Sequence, residues 1–270
     1  MKKLFYIIIT CTILAACSPY QKAMKSEEIS EKFQVGEEMF NKGKYAKANK
    51  LFKQIVPNYR GKPQAEKLMF LYSMTFYEMK EYYLAGYQFD RFVTAYPNSE
   101  KIEEAAFLSA KSSYTLSPVY SKAQVETKEA LSKLQEFINV YPNSQYMPEA
   151  NAMVKELDFK LERKAYEIAK QYNKIAGYTG DYEASIKAFD NFIFDFPGSS
   201  LREDALFYKL DSAYKLAMNS IASKKETRLE NAKAYYNSFK KAYAASEHIK
   251  EADKMIIDIN NELETFNTKS

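Results

Sequence analysis

The sequence predicts an all-α chain: a solenoid of about five helical-hairpin repeats, closed by a C-terminal capping helix. Three observations carry this. The 270 residues hold only 7 Gly and 8 Pro beside abundant Lys, Glu, Ala and Leu, a balance that favours helix. A proline corner recurs as Tyr96-Pro97-Asn98-Ser99, Tyr141-Pro142-Asn143-Ser144 and Phe196-Pro197-Gly198-Ser199. Apolar residues then fall into one register about each proline. Phe92, Phe137 and Phe192 stand five residues before it, and Phe89, Leu134 and Phe189 stand eight before. Ala85, Ala130 and Ser185 stand twelve before, and Ala105, Ala150 and Ala205 eight after. Spacings of three and four mark one face of a helix that ends at the proline, whose ring disfavours helical backbone in the residue before it. Small residues let two helices approach closely, and aromatic rings fill the space between layers. Hairpins that cannot bury their faces alone stack on one another.

In chain order, Lys2 and Lys3 precede an apolar stretch from Leu4 to Leu14, then Ala15, Ala16 and Cys17. The stretch is too short to span a bilayer and has the flanks of a secretory signal peptide. Leu14-Ala15-Ala16-Cys17 resembles a bacterial lipobox, which implies removal of residues 1–16 and acylation of Cys17. Several acyl chains on one residue anchor a protein stably. Residues 17–25 read as a lipidated tether, reaching at most about 30 Å at ~3.3 Å per residue.

The solenoid is expected over 26–266. Hairpin one is 26–42 with 45–56, its second helix shortened because Pro57 comes three residues early. Hairpin two is 62–79 with 81–96. Hairpin three is 99–117 with 124–141, joined by a longer loop through Ser117-Pro118. Hairpin four pairs a long helix, 147–176, with 181–196, Gly177 and Gly180 marking the end of the long helix. Hairpin five is 199–222 with 226–244, and 247–266 forms the cap. Ser200 with Glu203 fits a capping box. Gly43-Lys44-Tyr45, Lys80-Glu81-Tyr82 and Gly180-Asp181-Tyr182 open the second helices, and this register resembles the tetratricopeptide repeat. The proline spacings of 45 and 55 exceed that motif's usual 34 residues, which implies longer helices and loops.

Composition excludes more than it assigns. Without Lys2 and Lys3, 37 Lys and Arg face 35 Asp and Glu, a net charge of +2 that carries no nucleic-acid signal. Cys11 leaves with the leader and Cys17 would be consumed by lipid, so no thiol remains for disulfides or metal. His248, the one histidine, lies among charges and reads as an exposed helix residue. No phosphate loop, nucleophile elbow or metal-ligand cluster is present, so the chain reads as a non-enzyme with no cofactor.

With lipobox, tether and repeats together, the mature chain resembles the BamD family, lipoproteins of the outer-membrane β-barrel assembly machinery. Tyr141-Pro142-Asn143-Ser144-Gln145-Tyr146 with Glu149-Ala150 is the sharpest local piece. The resemblance implies lipid anchoring at Cys17 in the outer membrane, facing the periplasm. It implies a BamA-like barrel subunit, other machinery components and unfolded outer-membrane proteins as partners, with substrate near 26–96 and docking near 147–244. Other scaffolds share the architecture, serving envelope division, peptidoglycan synthesis or nutrient binding. The absence of tryptophan and of a large insert speaks against the last.

Two candidate surfaces follow. Lys44, Lys47, Lys50 and Lys53 recur every three residues within 42–67, where eight basic residues (Arg60 among them) face one acid, Glu66. That ridge fits anionic lipid or an acidic partner; its bland counterpart is a solvated helix face. Tyr72, Tyr82, Tyr83 and Tyr87 crowd the second hairpin beside Phe76, as a peptide groove or as repeat core.

Overall fold

The computed structural model describes residues 18–59 and 61–267. Cys17, the leader 1–16 and Arg60 lie outside the described residues. Those described form twelve α-helices and no strand. They are α1 (Pro19–Lys25), α2 (Ile29–Asn41), α3 (Tyr45–Ile55), α4 (Ala65–Glu78), α5 (Tyr82–Ala95) and α6 (Ile102–Leu116). There follow α7 (Val125–Val140), α8 (Met147–Thr179), α9 (Tyr182–Asp195), α10 (Arg202–Met218), α11 (Ala222–Ala242) and α12 (Ile249–Asn267). The tetratricopeptide-like hairpins are therefore present in the expected order. A 3₁₀ turn, Val56–Asn58, replaces the last turn of α3 at Pro57.

Two compact units divide the chain. The first holds the described residues up to Pro118 with Ala123–Leu157, and the second Val119–Lys122 with those from Asp158 onward. In the first, Phe52, Phe89, Phe92 and Leu134 are fully buried, packed beside Ala48, Ala85, Ala105, Ala130 and Ala150, all at 0 % exposure. The second repeats the scheme with Phe189, Phe239, Leu210, Ala169, Ala205, Ala232 and Ala252. Each fully buried large apolar side chain contributes about 1.5–3 kcal/mol.

The corners have a common construction. After each second helix, the Ser99, Ser144 and Ser199 amides donate to Tyr96, Tyr141 and Phe196 carbonyls, and each serine Oγ accepts the amide two residues on, 3.0–3.1 Å away. The expected capping box at Ser200 and Glu203 does not form; Ser199 satisfies that turn from within it. A fourth corner, Tyr243-Ala244-Ala245-Ser246, has the same bonds without a proline. Aligned on Ala244, the residues Ala232, Tyr236, Phe239 and Ala252 take the repeat's register and all are buried.

Polar bonds also join first helices of successive hairpins. Tyr114 of α6 donates to Glu156 of α8 at 2.6 Å, Asn173 of α8 to Asp211 of α10 at 2.8 Å, and Tyr214 of α10 to Asp258 of α12 at 2.9 Å. The three acceptors stand six residues after Ala150, Ala205 and Ala252.

Three expectations change. Residues 18–25 are not an extended tether: Ser18 and Gln21 form a capping box with Pro19 in the first turn, and α1 packs on α2 and α3 with Ala23 fully buried. α8, 33 residues long, ends three residues later than expected: it runs past Gly177 and stops at Gly180, the second of the two glycines expected to end it, whose φ of 77° suits glycine. Its neighbour hairpin, α10 and α11, turns at Asn219-Ser220-Ile221, earlier than expected.

Gly36 shows how close the layers come. A Cβ there would lie 2.5 Å from Cε1 of Phe52, a ring with no room to swing. Gly36→Ala should therefore lose more to overpacking, about 1–3 kcal/mol, than the roughly 1 kcal/mol it gains in helix propensity. Gly177→Ala, whose Cβ would meet no heavy atom within 4 Å, should gain about 0.5–1 kcal/mol. Urea denaturation of the pair tests this; a stabilised Gly36→Ala chain would show the α2–α3 contact to be loose.

A second prediction concerns pH. The hydrogen bond to Glu156, then burial, pushes the Tyr114 phenol up from 10.0 to about 12. The neutral phenol is the favoured folded form, so its contribution is intact below pH 10 and is lost as pH rises toward 12. Denaturation midpoints between pH 9 and 12 should fall less steeply for Tyr114→Phe than for the parent.

Candidate functional site

The basic ridge lies on α3. Ala48, Leu51, Phe52 and Ile55 form its buried face, and Lys44, Lys47, Lys50 and Lys53 are all exposed. Lys47 Nζ sits 5.1 Å from the centroid of the Tyr20 ring on α1. None of the four lysines is ion-paired to a described residue. Of the flanking bases, Lys42 pairs with Glu38 and Lys67 with Glu37, both acids on α2. The uncompensated charge is therefore narrower than the sequence count, and concentrated on α3.

The tyrosines divide. Tyr72 is 8 % exposed and packs edge-on against Phe76 with centroids 4.9 Å apart. Burial raises its phenol pKa, with Arg91 opposing. It is core and not a contact residue. Tyr83 and Tyr87 are 77 % and 55 % exposed, and with Tyr82 they line one wall of a groove of about 450 Å³. The groove lies between α5 and α7, with Ser113 and Leu116 of α6 as its floor and Val125, Glu126 and Glu129 opposite. Gly86 keeps the α5 wall low, its missing side chain facing Ser112.

At one end an ion pair crosses from wall to wall, Lys133 Nζ to Asp90 Oδ2 at 2.7 Å, and Ser109 also donates to Asp90. Beyond it a second depression of about 270 Å³ continues over Ala106, Phe137 and Val140. On the other side of Tyr87, a third of about 900 Å³ runs over Met69, Pro57 and Tyr96. Arg91 lies over the Tyr87 ring, 5.8 Å from its centroid. Tyr87 thus stands on the crest between two grooves. The surface offers exposed rings, aliphatic patches and scattered charge, a chemistry of binding.

His248 is not an exposed helix residue. Its ring stacks on Phe207 with centroids 4.1 Å apart, its side chain is 18 % exposed, and Nε2 lies 3.0 Å from Asp204. Tyr146 stacks on Phe107 in the same way, so His248 occupies a repeat packing position two residues after a corner serine. Asp204 also accepts from Tyr166 at 3.3 Å, and burial, then Asp204, raises that phenol's pKa. Asp204, Glu247 and His248 lie within reach of one ion, but Glu247 is 84 % exposed and the stacking already accounts for the histidine.

The family whose model matches is described as an outer membrane lipoprotein family, YfiO, and the match covers residues 25–180. The chain belongs to this family. Three relatives are each named outer membrane protein assembly factor BamD. The Pasteurella multocida protein is 21% identical over 85% of this chain and 90% of its own length. The Helicobacter pylori protein is 27% identical over 37% of this chain and 46% of its own, and the Caulobacter vibrioides protein 21% over 71% and 62%. The chain therefore spans less than two thirds of the last two relatives.

The matched segment of this outer membrane lipoprotein family member contains both the ridge and the aromatic groove. No described helix is long and apolar enough to cross a membrane. One surface escaped the sequence reading. On α8, Ile168, Tyr172, Ile175 and Tyr178 are exposed in a stripe, beside a groove of about 840 Å³ shared with Lys164, Lys174 and Tyr120. The signal was available as spacings of four, three and three. It was masked because Tyr166, Ala169 and Ala176 put a second apolar stripe on the same helix.

Burial separates the roles of the tyrosines. Tyr72→Ala should cost about 3 kcal/mol or more, as for truncation of a buried ring, whereas Tyr83→Ser and Tyr87→Ser should each stay within about 0.5 kcal/mol of the parent. Chemical denaturation measures all three; a large loss at Tyr83 would make it a core residue.

Proposed function

We propose that this chain is a lipid-anchored scaffold that serves the assembly of outer-membrane β-barrel proteins from the periplasmic face. Its family membership over the segment that carries the groove, with relatives named as assembly factors, is the observation behind this reading. In it, Cys17 carries the lipid, a BamA-like barrel subunit and other machinery components dock on the hairpins, and extended segments of unfolded outer-membrane proteins rest in the α5–α7 groove.

The groove suits a transient client. Tyr83 and Tyr87 present rings whose faces and edges can each take an aromatic side chain, worth about 0.5–1.5 kcal/mol per pair beyond area burial. Most of each ring is already solvated, so occupancy removes apolar surface from water without disturbing the core. A scaffold that hands its client onward needs binding of this shallow kind. No step of the reading requires catalysis or a cofactor.

Two measurements test it. A detergent pull-down of the tagged chain should recover a large barrel protein with periplasmic repeat domains, and depletion should lower outer-membrane protein levels. Recovery of cell-wall synthases, or normal outer-membrane protein levels in a viable deletion strain, would sink the proposal. A fluorescent peptide ending in an aromatic residue should bind the purified chain about tenfold more weakly after Tyr83→Ser with Tyr87→Ser, by anisotropy. Unchanged affinity would remove the groove from the reading while leaving the assembly role to the pull-down.

A further inference from the structure

We propose that the α3 ridge docks on an anionic lipid surface and so sets how the first hairpins face the bilayer. The idea rests on the anchoring reading for proximity to a membrane, and on the structure for the rest. α1 is folded against α2 and α3, with Ala23 fully buried and Tyr20 beneath Lys47. The first described residues therefore lie beside the ridge and not at the end of a long extended tether. Ser18, which follows Cys17 in the sequence, caps α1 at that edge of the fold.

The ridge itself has the right character for headgroups. Residues 39–65 contain no acid. At 100° per residue, Lys47, Lys50 and Lys53 share an arc of about 120° on the side of α3 away from its buried face, with Lys44 exposed at the helix start. None of the four is ion-paired to a described residue, whereas neighbouring Lys42 and Lys67 are answered by Glu38 and Glu37. None of the four lines a groove described above, so the ridge offers point charges on a convex surface and no cavity for a peptide. Lysine stems also lie along apolar surface while their ammonium groups reach outward. Mobile anionic headgroups can meet such an array without a shaped complement. An acidic protein would need matched carboxylates.

The test uses the mature chain with Cys17→Ser, so that no lipid contributes, its fold checked by circular dichroism. Co-sedimentation with vesicles of phosphatidylglycerol in phosphatidylcholine should exceed that with phosphatidylcholine alone, and 0.5 M salt should remove the difference. Each Lys→Gln change at 44, 47, 50 and 53 should lower partitioning about fivefold, and the quadruple Lys→Arg chain should bind like its parent. No preference for anionic vesicles, or undiminished binding by the quadruple Gln chain, overturns the proposal. So does loss of protein partners by that chain in a pull-down without any vesicle effect, which would assign the ridge to an acidic protein. Metabolic labelling of the Cys17 chain with an alkyne fatty acid tests anchoring separately: an unlabelled chain whose Cys17→Ser form still binds anionic vesicles would end the anchoring reading and keep the ridge.

Discussion

Everything in this architecture depends on how closely one helix can approach the next, and a small residue at each crossing fixes that distance. Ala48, Ala85, Ala105, Ala130, Ala150, Ala205, Ala232 and Ala252 are all without exposed surface. Where serine takes the place of alanine in this register, Ser185 meets Ser212 at 2.8 Å, and Ser212 also donates to the Tyr208 carbonyl, so the buried hydroxyls are satisfied. A larger side chain at these points would separate the layers. The phenylalanines above and below would then lose contact on one side, and interiors packed at this density tolerate such gaps poorly. Gly36 carries the same constraint further, since even a methyl group there collides with Phe52.

The turns take their form from this spacing. A corner must return the chain within a helix diameter without leaving buried amides unbonded. The serine at each corner does so, accepting the amide two residues ahead while its own amide bonds backward. Proline helps to end the preceding helix but is not required, as the corner at Ser246 shows. The hairpin turns use a different device. The Gly43 and Lys44 amides return to the carbonyls of Phe40 and Met39, and Lys80 and Glu81 repeat the arrangement on Tyr77 and Phe76. Lys80 does this at a φ of 62°, a strained backbone for a residue with a Cβ, held in place by the packing on either side.

The repeat and its core could be read from spacing because burial is dictated by helix periodicity, which is local. Phe89, Phe92, Leu134, Phe137, Phe189 and Phe192 were each placed by their distance from a proline. What spacing could not supply was anything decided between helices. The pairing of Lys67 with Glu37 joins α4 to α2 and leaves no trace in either segment. His248 looked exposed because its sequence neighbours are charged, although Phe207, more than forty residues away, covers it. Of the groove, the sequence named Tyr82, Tyr83 and Tyr87 but could not exclude Tyr72, since all four belong to one aromatic cluster until the helix faces are known. α1 was missed for a different reason. Seven residues show too little periodicity, although Ser18, Pro19 and Gln21 spelled its cap.

Within each unit, helices pack on those one or two places along the chain. A pull on such a stack is not shared across the whole unit. Within the first unit, tension entering at α1 would act first on Ala23 and the contacts of α1 with α2 and α3, then on the next hairpin of that unit, so resistance would come in steps of one hairpin. Such a chain can yield at one end and recoil while its far repeats stay folded, a mechanical tolerance that one shared core would not provide.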